Sequence, residues 1–328
     1  MAVVTLTGRR AARAHPWMRF AARRLGGLVV GLAVLLVATF LMVHLIPGDP
    51  VRNVVGLNAK PQDVERIKAA LGLNLPLGEQ FLRYVTGLFT GDLGISLRTR
   101  IPVSTVVTSG LAASGSLAAV AFLAVMVIAV PLGMAVGVAT ARGRHRGLHT
   151  AFTAVTGLFA SSRGFLLAVG LGYFLAGANP WLPVSGRAGW TSYLMPTIAL
   201  AVAPIAGLSR IVRSQTAVVL GEDYLRTAHS KQLPGRLLYL RHTLPNLLTA
   251  TLTIGGMLLP GLLAGAIIIE NVFNWPGIGT QVVLAVTGND FPVAQTIILI
   301  LGAAVLIVNA AVDLIIAAVD PRSTLKED

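Results

Sequence analysis

Three places in this sequence carry residue types able to do chemistry away from water. The stretch from Gly221 to Pro245 crowds Glu222, Asp223, Arg226, Lys231, Arg236 and Arg241 into an otherwise sparsely charged chain. Single charges stand alone in apolar runs at Arg163, Glu270 and Asp313. Ser114, in Ala112-Ala113-Ser114-Gly115, has the small neighbours of a nucleophilic serine, but no histidine lies in the apolar runs towards the C-terminus to act as its base. We therefore read it as a small residue that permits close helix packing. The six histidines, His15, His44, His145, His149, His229 and His242, do not pair with carboxylates at ligand spacing inside an apolar run. There is no cysteine, no H-E-x-x-H and no G-x-x-x-x-G-K-[ST]. The pattern lacks a nucleophile with its base, a metal set and a phosphate-cradling loop, which leaves recognition and movement as the work of its polar residues.

The elements that must position these residues are apolar. The chain has 328 residues, 55% of them hydrophobic and 12% charged, with a mean hydropathy of +0.76. A soluble domain carries about 25% charged residues, so a lone soluble enzyme, a disulfide scaffold and a disordered chain are excluded as classes. A helix crosses the hydrocarbon layer with about 20 apolar residues. Six stretches qualify: 25–46, 111–140, 147–178, 193–209, 243–269 and 291–319. The expected fold is an all-α integral membrane protein with six transmembrane helices.

The net charge of +13 might suggest nucleic acid, but its distribution argues otherwise. Arg9, Arg10, Arg13, Arg19, Arg23 and Arg24 precede the first stretch, and Arg142, Arg144 and Arg146 separate the second from the third. Arg210, Arg213, Arg226, Lys231, Arg236 and Arg241 lie between the fourth and fifth, and Arg322 and Lys326 follow the sixth. Alternating spans put all of these on one side, which the positive-inside rule makes cytoplasmic, together with both termini. The other side has a near-balanced set of charges, most of them in the sizeable external segment 47–110.

That segment is expected to hold two short helices. One begins at Pro61, with Val64, Ile67, Lys68 and Leu71 on one stripe and Gly72 to end it. The other covers 76–89, with Leu77, Phe81, Tyr84, Val85 and Leu88 on a stripe. In the charged cytoplasmic loop, Glu222 and Asp223 suit a helix start and Lys231 a helix end, and Pro234-Gly235 breaks the chain before it re-enters the membrane. Such an elaborate hairpin suggests a surface for another protein to grip; its plainer reading is an interfacial helix.

Here the residues acquire a family likeness. The loop resembles the coupling motif of binding-protein-dependent transporters, E-A-A-x-x-x-G followed by I-x-L-P. Arg226-Thr227-Ala228 stand at the E-A-A position and His242-Thr243-Leu244-Pro245 at the distal part, while Gln232 replaces the glycine. His44-Leu45-Ile46-Pro47-Gly48-Asp49-Pro50, Gly91-Asp92-Leu93-Gly94-Ile95-Ser96, Glu270-Asn271-Val272-Phe273-Asn274-Trp275-Pro276-Gly277-Ile278-Gly279 and Asp320-Pro321-Arg322 are similar to other signatures of the same family, in the same order. The family is that of the dipeptide/oligopeptide ABC transporter permease subunits, and the likeness runs from about residue 23 to residue 322.

The resemblance implies a type I ABC importer permease in the bacterial cytoplasmic (inner) membrane. It divides the chain into a basic N-terminus 1–24, a first span 25–46, the extracytoplasmic segment 47–110, a permease core 111–320 with the coupling loop 221–242, and a tail 321–328. A second homologous permease would complete a heterodimer, two cytoplasmic subunits would bind the ATP and Mg, and an extracytoplasmic solute-binding protein would deliver the solute. Coupling to the ATPases would fall to Glu222, Asp223, Tyr224, Leu225, Arg226, Thr227, Ala228, Lys231, Gln232, Leu233, His242 and Pro245. Di- and oligopeptides are the expected cargo; a nickel chelate, glutathione, haem or a sugar is the alternative. Another class altogether, a stand-alone secondary transporter, would need coupling-ion carboxylates and related halves, and only Asp313 is placed for that.

Arg163 stands in the third span, where the family has an I-P-S-F-like sequence and this chain has Ser161-Ser162-Arg163-Gly164-Phe165. An arginine deep in a membrane costs roughly 2.5–3.5 kcal/mol on insertion scales, so it should face protein or water. It either lines the path and attracts an anionic group such as a peptide carboxylate, or pairs with Asp313, or snorkels to the surface if the span is shifted. Glu270 is expected near the outer surface, either hydrated or anchoring the external turn of Trp275, Pro276, Gly277 and Gly279, with a gate role as the alternative. Asp313 is expected to pair inside the bundle, and Asn309 to hydrogen-bond across helices.

Overall fold

The computed structural model describes residues 16–45, 61–72, 74–176, 185–223 and 234–319. These form α1 (Pro16–Leu45), α2 (Pro61–Leu71), α3 (Leu77–Thr90), α4 (Val103–Thr140), α5 (Arg146–Ser161), α6 (Gly164–Leu171), α7 (Leu194–Val219), α8 (Leu244–Gly256), α9 (Leu258–Val272), α10 (Ile278–Thr287) and α11 (Phe291–Val319). Among the described residues, β-pairing is confined to one bridge between Ile95 and Pro102. Among the described residues, five helical stretches are long and apolar enough to cross a membrane: Arg19–Leu45, Val103–Thr140, Trp190–Val219, Thr251–Val272 and Phe291–Ile315. Helices α5 and α6 make a sixth only as a bent pair. The chain is thus an all-helical multi-pass membrane protein, as its apolar runs predict.

The spans differ from the sequence expectation where apolarity alone cannot fix an end. Helix α4 begins at Val103 rather than at residue 111, because Pro102 opens it and Val103 and Val107 bury themselves against α10 and α11. Helix α7 continues past Ser209 through Arg210 and Arg213 to Val219. The stretch 243–269 is two helices that meet at Met257, just after Gly255-Gly256. The stretch 147–178 breaks between Ser161 and Gly164, where the axis turns by 91°. Ser161 and Ser162 direct their hydroxyls at the carbonyls of Leu158 and Phe159, at 2.9 and 2.7 Å, and take up acceptors that the ended helix leaves free.

Two helix pairs organise the rest. Helix α4 lies against α7, and glycines set the distance. A Cβ at Gly133 would stand 2.5 Å from the Ser209 carbonyl, and one at Gly137 would stand 2.7 Å from Thr216 Cβ. Gly133 and Gly137 are one turn apart, the small-xxx-small spacing that lets helix backbones approach in a membrane. Helix α1 pairs with α11 in antiparallel register: Gly31 meets Leu306, Leu35 meets Gly302, and Arg24 meets Asp313 at 3.1 Å. The far side of α1 exposes Val29, Val30, Val34, Val37 and Leu41, a surface suited to lipid.

Outside the span region, α2 starts at Pro61 and ends before Gly72, whose φ of +70° no larger residue adopts without strain. Helix α3 ends at Gly91, also left-handed. Its stripe lies on the C-terminal end of α1: Phe81 meets Phe40 edge-on at 5.2 Å, and the Tyr84 hydroxyl is 3.3 Å from that of Thr39.

Candidate functional site

The most densely bonded polar site lies where α9 turns into α10. Helix α10 has ten residues, too few to cross a membrane, so it enters the bundle and stays near one face. Its start is bolted down from two sides. The Gly279 N–H donates to Glu270 Oε2 at 2.8 Å, and the Ile278 N–H donates to Ser114 Oγ at 2.8 Å. The Ser114 hydroxyl and the Thr280 amide also flank the Glu270 carboxylate. Trp275, fully buried, donates from Nε1 to the Ala113 carbonyl at 3.1 Å. Tyr193 packs edge-on against it at 4.6 Å, and Arg187 caps both rings.

Glycines make this seam possible. A Cβ at Gly277 would overlap the Glu270 carboxylate, and one at Gly279 would lie 2.5 Å from Ile267 Cα. A Cβ at Gly110 would lie 3.1 Å from the Ile278 nitrogen, so glycine there lets α4 approach the start of α10 closely. Two expectations change here. Glu270 is 1% exposed and so is not hydrated: Oε2 accepts the Gly279 amide, while Oε1 is buried with no hydrogen-bond partner among the described residues. The turn of Trp275, Pro276, Gly277 and Gly279 leaves only Pro276 exposed; the other three are buried, because the tryptophan fills the core beside Leu117, Met195 and Ile269. Ser114 is the acceptor in that seam, a role its small-residue reading missed.

A second bolt, not foreseen from the sequence, holds the other end of α10. Buried Asp290 accepts from Ser96 Oγ at 2.5 Å, from the Leu97 N–H at 3.1 Å and from the Arg98 N–H at 3.4 Å. Ser96 in turn accepts from the Thr99 N–H and hydroxyl. The loop before α4 and the corner before α11 are thereby one unit. A turn at Gly288-Asn289-Asp290, with Asn289 at a φ of +55°, was the available sequence signal.

Arg163 sits at the 91° elbow, in extended backbone, with its side chain exposed. It does not pair with Asp313, which Arg24 takes at the opposite end of the bundle. The next residue, Gly164, presses α6 onto its neighbours: a Cβ there would lie 3.2 Å from the Ala199 carbonyl and 3.6 Å from Ile269 Cδ1. Asn309 is exposed on α11 and makes no cross-helix hydrogen bond to a described residue. Arg163, Glu270 and Asp313 thus stand in three separate environments and do not converge on one site.

Of the expected coupling residues, Tyr224, Leu225, Arg226, Thr227, Ala228, Lys231, Gln232 and Leu233 lie outside the described residues. Glu222 and Asp223 are exposed just beyond the end of α7. After Pro234 a helical turn, Gly235–Leu237, widens into a π-type stretch, Leu238–Thr243, before α8. Pro245 explains the widening, since it has no N–H to donate and its ring needs room against the preceding turn. His242 accepts the Asn246 amide at its carbonyl, 3.0 Å away. Leu238 and Tyr239 pack on Val219 and Leu220, which brings the two ends of the loop together at the foot of α7.

At the end of the bundle that carries α3, α1, α3, the loop 92–97 and the start of α11 line a cavity of about 250 Å³ with Phe40, His44, Arg83, Tyr84 and Gln295 among others. Among the described residues, no three His, Cys, Asp or Glu side chains group as metal ligands do.

Comparison with known proteins covers both parts of this architecture. Residues 129–325 match the family described as binding-protein-dependent transport system inner membrane component, and residues 17–108 match the N-terminal region of such membrane components. The glutathione transport system permease protein GsiC of Salmonella paratyphi A is 36% identical over 288 residues, covering 86% of this chain and 91% of the relative. Its counterparts in Escherichia coli K12 and Shigella flexneri are 35% identical over 283 residues, with the same coverage.

Proposed function

The chain belongs to the inner-membrane permease family of binding-protein-dependent ABC transport systems, and from that premise we propose that it forms half of the path of an ATP-driven importer for glutathione or closely similar small peptides. It is a multi-pass inner-membrane permease subunit. What carries the substrate reading is a single observation: relatives named for glutathione transport align with 86% of this chain. They favour glutathione, the alternative in the sequence reading, over a general di- or oligopeptide cargo.

A second permease, two ATP-binding subunits and a solute-binding protein complete the assembly in this reading, with both termini in the cytoplasm. The ATPases dock on the loop 221–242. Its two ends meet at the foot of α7 and α8, so a push on the loop is delivered to both helices. ATP and the loaded binding protein favour the outward-open state by binding it in preference to the inward-open one.

The test is uptake of radiolabelled glutathione into inverted-control and right-side-out membrane vesicles that carry the full system. Glutathione uptake displaced by excess unlabelled glutathione, and not by tetra- or pentapeptides, supports the reading. Uptake of longer peptides with glutathione excluded would return the cargo to the oligopeptide class.

A further inference from the structure

The other two charges that stand singly in apolar runs, Glu270 and Asp313, have partners within the chain. Glu270 is buried against the Gly279 amide and Ser114, and Asp313 is paired with Arg24 at the opposite end of the bundle. The guanidinium of Arg163 makes no hydrogen bond or ion pair with the described residues, and it is exposed. Its backbone is nonetheless held firmly. Ser161 and Ser162 cap the end of α5, and Gly164 is pressed against the Ala199 carbonyl. An alanine at 164 would already crowd that carbonyl, so the elbow presents Arg163 from a fixed base.

The depth of the elbow follows from its neighbours. Ala199 is five residues inside the outer start of α7, roughly 7.5 Å at 1.5 Å per residue, and Ile269 is three residues from the outer end of α9. Arg163 therefore stands in the outer third of the apolar layer and not at its middle, one residue from the seam of α6, α7 and α9. A solute released on the outer face meets that level early. A guanidinium offers a planar fork of donors that matches a carboxylate bidentately.

We propose that Arg163 is a substrate-contacting, specificity-determining residue that takes a carboxylate of the imported peptide at the α5–α6 elbow. The inference rests on the importer reading above and adds to it the group of the solute that this chain recognises. An anionic lipid headgroup offers similar chemistry, so the test separates the two.

The experiment uses the complete complex, with both permeases, both ATPases and the binding protein, in liposomes of phosphatidylcholine alone and of phosphatidylcholine with phosphatidylglycerol. Uptake of glutathione and of its glycine amide, which lacks one carboxylate, is compared at saturating loaded binding protein for wild type, Arg163→Gln and Arg163→Lys. Because one binding protein serves all three, the ratio of acid to amide isolates the permease. The expected result is a fall of at least tenfold in glutathione uptake for Arg163→Gln in both lipids, a much smaller fall for the amide, partial rescue by Arg163→Lys, and unchanged subunit composition. Equal falls for acid and amide, a fall seen only with phosphatidylglycerol, loss of a subunit, or no fall at all would each overturn the proposal. If the wild-type complex imports neither compound, the glutathione reading fails first and the inference with it; normal wild-type uptake with an indifferent variant sinks the inference alone.

Discussion

The packing of α4 on α7 yields a prediction with its own internal control. An alanine methyl at Gly133 would lie 2.5 Å from the Ser209 carbonyl and 2.7 Å from Val212 Cβ; at Gly137 it would lie 2.7 Å from Thr216 Cβ and 3.0 Å from the Arg213 carbonyl. Ordinary contacts lie at 3.4–4 Å, and the obstructing atoms include backbone, so the helices must part. A gap of about 0.5–1 Å forfeits a quarter to a half of each dispersion contact along the pair. Overpacking of this kind costs about 1–3 kcal/mol per site, and the two sites, one turn apart, should not add. Gly115 in α4 and Gly207 in α7 have nothing within 4 Å of the corresponding position. Alanine there keeps the packing and gains up to about 1 kcal/mol in helix propensity. Thermal unfolding of the detergent-purified protein, followed by tryptophan fluorescence, reads the difference. Gly133→Ala and Gly137→Ala should lower Tm by several degrees, at roughly 2–4 °C per kcal/mol, while Gly115→Ala and Gly207→Ala leave it level or raise it. Equal shifts for all four variants would refute the close-approach argument.

The polar bolts give three further expectations. Ser114→Ala leaves the Ile278 amide buried without its acceptor and should destabilise by about 1–3 kcal/mol, measured in the same melt; a neutral result would mean the amide finds another acceptor. Glu270→Gln keeps an acceptor for the Gly279 amide, so it should be markedly milder than Glu270→Ala, and the reverse order would count against the bolt. Asp290→Ala strips the acceptor from three donors in the loop 96–98 and should make that loop cleavable in limited proteolysis, whereas Asp313→Asn, which breaks a partly exposed pair with Arg24, should change stability by less than about 1 kcal/mol. Proteolysis that does not distinguish these two variants would contradict the assignment of Asp290.

Much of this fold was written in local chemistry. The helix Phe291–Val319 follows its apolar run end to end, across Asn309 and Asp313, and α2 follows Pro61 and Gly72. Hydropathy sees neither bends nor re-entry. The 91° elbow depends on two serines turning back to their own helix and on Gly164 meeting a carbonyl of α7, a contact between residues far apart in sequence. Helix α10 hides behind a turn signature because ten residues fall below the length that hydropathy reads as a span. The bolts Ser114 to Ile278 and Ser96 to Asp290 join positions 164 and 194 residues apart, which no spacing rule reaches. Gly133 and Gly137 stand inside a long apolar run that hydropathy reads simply as one span, and the carboxylate of Asp290 was marked only by the turn it follows. Most of the coupling motif was legible as family likeness alone, since its central residues lie outside the described structure.

On the reading proposed above, this chain is half of a path that draws its energy from separate ATP-binding subunits. The direct measurement is glutathione accumulation in proteoliposomes that contain the permease, with the solute-binding protein added outside and ATP trapped inside, with and without the separate ATP-binding subunits. The account predicts accumulation against a gradient only when those subunits and hydrolysable ATP are both present. Accumulation by the permease pair alone, driven by an ion gradient and indifferent to ATP, would contradict it.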